Sequence, residues 1–265
     1  MSEINKRKRV VIKLGTSTLT HKTGRLNIRR VEKLVKVIAD IYNAGNEIII
    51  VSSGSIGLGM SKLGMTERPK DTPSKQACAA VGQCELMYMY DKQFSEYSLT
   101  VAQLLLTKYI LIEDRRKNVE NALERILRLG VIPIVNENDT VAIDELELEV
   151  GENDSLAATV ASIAKADLLI IMSDIDGLYD KDPHECHDAR LIPEVEEITD
   201  EIRQLAGGAG TKLGTGGMIT KINAAEIAVN NGIDLIIVNG REPENLYKIF
   251  DGCVVGTRFK AKRKG

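Results

Sequence analysis

Apolar runs of about five residues recur along this 265-residue chain, separated by longer stretches of helical periodicity. Residues 9–13 (RVVIK), 47–51 (EIIIV), 99–106 (LTVAQLLL), 131–135 (VIPIV), 168–172 (LLIIM) and 234–238 (DLIIV) read as strands. Near-continuous aliphatic runs of this length are what a strand buried on both faces requires. Between them Val31, Leu34, Val35, Ile38 and Ile41 recur at helical spacing, after Asn27 as a cap and before Gly45 as a stop. Thr72 followed by Pro73 predicts a cap and a helix start running to about Phe94. Asp114 predicts a cap for a helix to Leu129, ended by Gly130, and further helices are predicted over 155–165, over 218–231 and after Pro243. This alternation predicts an α/β fold: a three-layer αβα sandwich with a mostly parallel central sheet. Residues 140–150 depart from the pattern. Val141, Ile143, Leu146, Leu148 and Val150 alternate with one slip, which predicts a hairpin outside the main sheet.

The polar residues cluster where predicted strands end or helices begin. Asn136, Glu137, Asn138 and Asp139 follow the fourth strand, and Glu152, Asn153 and Asp154 stand at the head of an Ala-rich helix. Lys13 leaves the first strand beside Gly15, and the second strand runs into Ser52, Ser53, Gly54 and Ser55. Ser173 and Asp174 follow the fifth strand, while Thr215, Gly216, Gly217, Met218, Ile219, Thr220 and Lys221 open a helix. Strand ends in a parallel sheet lie along one edge, so these loops face one crevice. Glycines at a helix start expose N–H groups at the positive end of the dipole, a place for an anion, and Lys221 is one turn further on. Ser53 and Gly54 form a second anion site, and Asp139, Asn136 and Asn153 are acceptors suited to an ammonium group. Each feature alone has a plain structural reading: a loop, a cap, a strand-end lysine. Six on one predicted edge point to a ligand site.

Composition narrows the class. Aromatics make up 4% of the chain with no Trp, which disfavours base-stacking surfaces and hence a nucleic-acid partner. The net charge is −3 although residues 6–9 and 258–264 are strongly basic; these ends read as solvated, frayed termini. Four cysteines without CxxC spacing and no run of membrane-spanning length predict free thiols, a cytoplasmic location and no membrane contact. His184, Cys186 and His187 lack a fourth ligand, so no metal site is expected from them. The helix over 75–90, rich in Met and Cys, reads as core.

No GxxxxGK[ST], no GxGxxG after a strand and no HRD or DFG occurs, which removes the P-loop, dinucleotide and protein-kinase templates. The blocks VIKLGTSTL, VSSGSIGLG, IPIVNEND, VGENDSLAA, SDIDGLYDKDP and GTGGMITKINAA instead resemble, in order and over nearly the whole chain, the glutamate 5-kinase branch of the amino acid kinase family. The resemblance implies a single αβα domain over 1–265, with about 1–165 holding the acceptor and about 166–265 the nucleotide. It implies ATP-dependent phosphorylation of the γ-carboxylate of L-glutamate to L-glutamyl 5-phosphate, the first step toward proline. Glutamate would be bound by Ser53, Gly54, Asp139 and Asn153 with Asn136 nearby. ATP would be held by Ser173, Asp174 and residues 215–221, with Lys13 and Gly15 at the phosphates. Relatives with a C-terminal domain of the pseudouridine synthase and archaeosine transglycosylase type are longer than this chain, which is expected to lack one. The Thr-Asp pair usual in the family is Ser173-Asp174 here.

A glutamate carboxylate, with a pKa of about 4.3, is already a nucleophile at neutral pH, so no histidine base is needed. The difficulty is an anion approaching a polyanion. Lys13 and Lys221 are therefore assigned to the phosphates, Asp154 to orienting both lysines, and Mg²⁺ to bridging the phosphates through nucleotide and water. Proline as feedback inhibitor is implied by the resemblance, and a homo-oligomer is expected. Sister kinases acting on aspartate, N-acetylglutamate, carbamate or a nucleoside monophosphate, and a non-catalytic amino-acid sensor, are the alternatives.

Overall fold

Strand parity decides which side chains reach which layer. A computed structural model describes residues 8–21, 23–107, 113–141, 153–183, 185–207 and 217–262. In it β1 (Arg9–Leu14), β2 (Glu47–Ser52), β3 (Val101–Leu106), β4 (Ile132–Glu137), β5 (Leu168–Ser173) and β7 (Asp234–Asn239) pair in parallel, in the order β3-β4-β2-β1-β5-β7. β8 (Thr257–Phe259) then adds antiparallel to β7, and the two-residue β6 (Glu194–Val195) pairs with β8 in parallel at the edge.

Val10, Ile12 and Leu14 point into one core. It is filled by α2 (Ile28–Asn43), α4 (Thr72–Ser95) and α9 (Asn245–Phe250). Val11, Ile49, Val51, Val135, Leu169 and Ile171 point into the other. Its helices are α5 (Glu113–Arg128), α6 (Asn153–Ile163), α7 (Asp200–Gly207) and α8 (Met218–Asn230). These are the layers of the expected αβα sandwich. The helices over α6 and α8 are built from small residues, with Ala157, Ala158, Ala161, Ala224, Ala225 and Ala228 all buried, which lets them lie close to the sheet and to each other.

Several expectations need correction. The cap of α4 is Asp71, whose side chain accepts the N–H of Ser74; Thr72 is already helical. The aspartate wins because its charge favours the positive helix end. α6 begins at Asn153, not Ser155, so Asn153 and Asp154 are its first turn rather than a preceding loop. The basic ends are not frayed throughout. Arg9 sits in β1 and meets Glu47 at 2.7 Å and Glu124 at 3.0 Å, while Arg258 pairs with Asp234 and Lys260 with Glu194 at 2.8 Å. Acidic partners distant in sequence hold them. The short strands β6 and β8, the helix α7 and the four-residue helix α1 (Thr16–Leu19) were not anticipated, being too brief for a periodicity to show. α4 is only partly core: Cys78, Leu86 and Tyr90 are buried, whereas Tyr88 is 65% exposed. The predicted hairpin lies, from residue 142 on, outside the described residues.

α3 (Ser55–Lys62) and α4 touch backbone to backbone. A Cβ on Gly59 would stand 1.8 Å from the Cys78 carbonyl oxygen, and one on Gly82 would stand 1.7 Å from that of Ser55. Only glycine permits this approach. Gly82→Ala should cost about 3 kcal/mol and lower Tm by roughly 6–12 °C in calorimetry. An unchanged Tm would mean that the two helices part freely.

Candidate active site

The polar residues gather where the parallel strands end. Lys13 follows Val11 on the same side of β1 and so emerges toward α6 and α8. There its Nζ lies 2.8 Å from Oδ1 of Asp154, and Lys221 Nζ, from the first turns of α8, lies 3.2 Å from Oδ2. Thr220 Oγ1 is 3.0 Å from the same Oδ2 and 2.9 Å from the Gly217 carbonyl oxygen; its single proton serves one acceptor at a time. Asp154 is 1% exposed, Lys221 5% and Lys13 9%, so this ion cluster is almost wholly withdrawn from water. Burial by itself would raise the Asp154 carboxyl, but the facing charges of Lys13 and Lys221 outweigh it and hold the group below the usual carboxylate range.

α8 starts at Gly217, whose position offers no side-chain cap, and a Cβ there would meet nothing within 4 Å. With no side chain at its N-cap, the helix start beside Lys221 offers backbone N–H groups suited to an anion. Gly15, N-cap of α1, donates its N–H to the Met172 carbonyl at 3.4 Å, which sets the turn after Lys13 against the end of β5. Next along the edge, Ser173 Oγ donates to Asp174 at 3.1 Å, and Gly240 N donates to the Ser173 carbonyl at 2.7 Å. Thr215 and Gly216 lie outside the described residues.

On the other side of Asp154 is a second group. Asn153 Nδ2 donates to Ser53 Oγ at 2.6 Å and lies 3.4 Å from both the Ser52 carbonyl and Asn136 Oδ1. Gly54, at φ 106°, makes the left-handed turn that brings Ser55 to the start of α3, and Ser55 Oγ donates to Asp139 at 2.8 Å. Asn153 and Asp154 are consecutive in one helical turn, so α6 joins the two groups: Asn153 faces the amide cluster and Asp154 the lysines.

The structure thus brings Lys13, Asp154 and Lys221 together, and separately Ser53, Asn136 and Asn153, with Asp139 tied to Ser55. Sequence reasoning missed two participants, Gln83 and Tyr90, and named Ser55 only as part of the loop after the second strand. Gln83 Oε1 accepts from Asn136 Nδ2 at 2.9 Å, and the Tyr90 hydroxyl lies 2.9 Å from Ser52 Oγ beneath the loop. Burial pushes the Tyr90 phenol up, against a smaller opposite effect of that bond. A polar side chain beside Ala79, Gly82 and Leu86, all buried, was the available signal for Gln83.

A three-layer sandwich whose strand ends carry a buried lysine–aspartate–lysine cluster next to an amide pocket defines a phosphotransferase class. Residues 8–239 match the amino acid kinase family, and the chain belongs to it. The chain is 52% identical to a protein of Clostridium perfringens named glutamate 5-kinase, covering 97% of this chain and 96% of that one. It is also 52% identical to a glutamate 5-kinase of Caldanaerobacter subterraneus, covering 95% of this chain and 67% of that longer protein. Among solved structures, the fold resembles carbamate kinase from Giardia lamblia bound to AMP-PNP (TM-score 0.67, 19% identity, 97% of this chain and 100% of that one). It also resembles UMP kinase from Bacillus anthracis (TM-score 0.64, 18% identity, 97% of each chain).

The depressed carboxyl of Asp154 makes the ion cluster a pH-dependent contribution to stability. It is present above the unfolded carboxylate pKa of about 3.9 and is lost as pH falls through the lower folded value. In urea unfolding, Asp154→Asn should be the less stable protein at pH 7 and should lose less stability than the parent between pH 5 and pH 3. Parallel losses would show that Asp154 is not the titrating group.

Proposed function

We infer that this chain is a glutamate 5-kinase, transferring the γ-phosphoryl group of ATP to the γ-carboxylate of L-glutamate to give L-glutamyl 5-phosphate, the first step toward proline. The observation that carries this reading is the junction at α6, where one helical turn offers an amide to one pocket and a carboxylate to the lysine pair. The 52% identity to proteins of that name over nearly the whole chain supports it.

On this reading the amino acid lies over Ser53, Gly54, Asn136, Asp139 and Asn153. Asn136 Oδ1 and the Asp139 carboxylate suit its ammonium group. ATP is held by Ser173, Asp174, Gly217, Met218, Ile219 and Thr220, with Thr215 and Gly216 completing the loop, and its phosphates meet the N-terminus of α8 beside Gly15. About 1–165 then serves the acceptor and about 166–265 the nucleotide. The γ-carboxylate oxygen attacks the γ-phosphorus, the bond to the bridging oxygen breaks, and ADP leaves with that electron pair. The carboxylate is ionised at neutral pH, so no proton is removed. Two lysines and one carboxylate carry a net positive charge at the point where two anions must meet, and burial strengthens their effect. Asp154 keeps the two ammonium groups at fixed positions, so little reorganisation is needed when phosphate arrives.

Mg²⁺ fits as an ion carried by the nucleotide. Both oxygens of Asp154 face lysine nitrogens, which leaves phosphate oxygens and water as the metal's ligands. Bound there, it would neutralise charge on the β- and γ-phosphates. The same reading includes proline as feedback inhibitor, a homo-oligomeric state and a cytoplasmic location. The last is compatible with the lack, among the described residues, of any helix long and apolar enough to cross a membrane.

Incubation with Mg-ATP and hydroxylamine should yield hydroxamate from glutamate, and far less from aspartate or N-acetylglutamate; none from glutamate would overturn the assignment. Lys221→Ala should lower kcat at least a hundredfold, because a phosphate contact counts most as charge develops. An unchanged kcat would remove Lys221 from the chemistry.

A further inference from the structure

Asn136 ends an apolar stripe. Ile132, Ile134 and Asn136 share one side of β4, and the two isoleucines are buried in the core that α4 fills. Asn136, 1% exposed, therefore leaves the sheet on the side of α4, while its oxygen still reaches Asn153 at the start of α6. What meets it is Gln83, next to Gly82. The contact of Gly82 with the Ser55 carbonyl seats this part of α4 against the start of α3, beside the amide pocket. Gln83 is thus delivered to Asn136 by a helix packing that tolerates no Cβ.

The hydrogen bonds run in one direction. Asn153 Nδ2 donates to Ser53 and points at Asn136 Oδ1, and Asn136 Nδ2 donates to Gln83 Oε1. Asn153, kept a donor by the Ser52 carbonyl, draws the Asn136 oxygen toward itself, and Gln83 takes the amide nitrogen at the other end. At 3.4 Å the contact with Asn153 leaves that oxygen with acceptor capacity to spare. Reversing Asn136 would set its nitrogen against that of Asn153, which the Ser52 carbonyl holds as a donor. The chain of amides ends at Gln83, whose Nε2 is buried with no partner. The direction of the chain is therefore set at its other end, where the Ser52 carbonyl can only accept and so keeps Asn153 Nδ2 as a donor.

We propose that Gln83 is a positioning residue of the acceptor site: it accepts from Asn136 Nδ2 and so holds in place the amide whose oxygen, turned toward Asn153, is an ammonium acceptor for the substrate. The proposal rests on the assignment of an amino acid as acceptor and adds a residue from α4 to its recognition. It gives the site a preference for a free amine from a group that does not touch the substrate.

The test is steady-state kinetics on purified full-length protein, with thermal unfolding of every variant. Gln83→Leu should raise the glutamate KM about tenfold, the size expected for one lost hydrogen bond, with the Mg-ATP KM unchanged and kcat within about threefold. Because Gln83 acts through Asn136, adding Gln83→Leu to Asn136→Ala should raise KM by no more than about twofold beyond Asn136→Ala alone. Gln83→Met, unbranched and of similar size, serves if leucine disturbs α4. A glutamate KM within twofold of the parent, effects that multiply in the double variant, or an equal rise in both KM values overturns the proposal while leaving the kinase assignment standing. Failure of both Gln83 variants to fold makes Gln83 a structural residue and likewise overturns it. A parent protein that forms no hydroxamate from glutamate overturns both.

Discussion

Everything in this molecule is arranged around one buried carboxylate. Asp154 is 1% exposed yet charged, and a charge so far from water persists only if opposite charges surround it. Lys13 arrives from β1 and Lys221 from α8, so the carboxylate joins the centre of the sheet to two helices of one layer. The alanine-rich packing of α6 and α8 makes this geometry attainable, because larger side chains would hold the helices apart. Stability and chemistry therefore share an interaction. On the proposed reading, the feature that would be costly in an ordinary core would supply the preset positive charge that phosphoryl transfer requires.

Much of this was legible beforehand. Five of the six parallel strands announced themselves as aliphatic runs, since a strand covered on both faces leaves little room for polar residues; β3, at the edge and largely uncovered, also admits Gln103. Lys13, Asp154 and Lys221 could be picked out because each follows a small residue, a strand or a helix start. What stayed hidden were features that depend on contacts distant in sequence. Gln83 and Tyr90 look like interior helix positions until β2 and β4 end beside them. Arg9, Arg258 and Lys260 look like a charged fringe until Glu47, Asp234 and Glu194 stand opposite. Two- and three-residue strands carry no periodicity at all, so β6 and β8 exist only as consequences of the sheet they complete. Thr72 was favoured over Asp71 as a cap because Pro73 drew attention to the wrong neighbour.

The two helical layers divide the labour. α6 and α8 carry the charged cluster, and α4, from the opposite side of the sheet, reaches the amide pocket through Gln83 and supports Ser52 through Tyr90. Asn136 and Asn153 meet between these layers, across the end of the strands. The amide pocket is consequently a property of the whole sandwich rather than of one loop.

The alternation along β1 has a last implication. Lys13 faces Asp154 only because it is in phase with Val11, while Ile12 and Leu14 look the other way. A slip of one residue between β1 and its neighbours would present Leu14 to the buried carboxylate and turn the lysine into an apolar core. The pairing of Lys13 with Val51 and Ile171 is thus a condition for the buried ion cluster as much as for the sheet. A molecule threaded one step out of register would lack the ion cluster even where it held together, so on the proposed reading turnover would count correctly registered sheets.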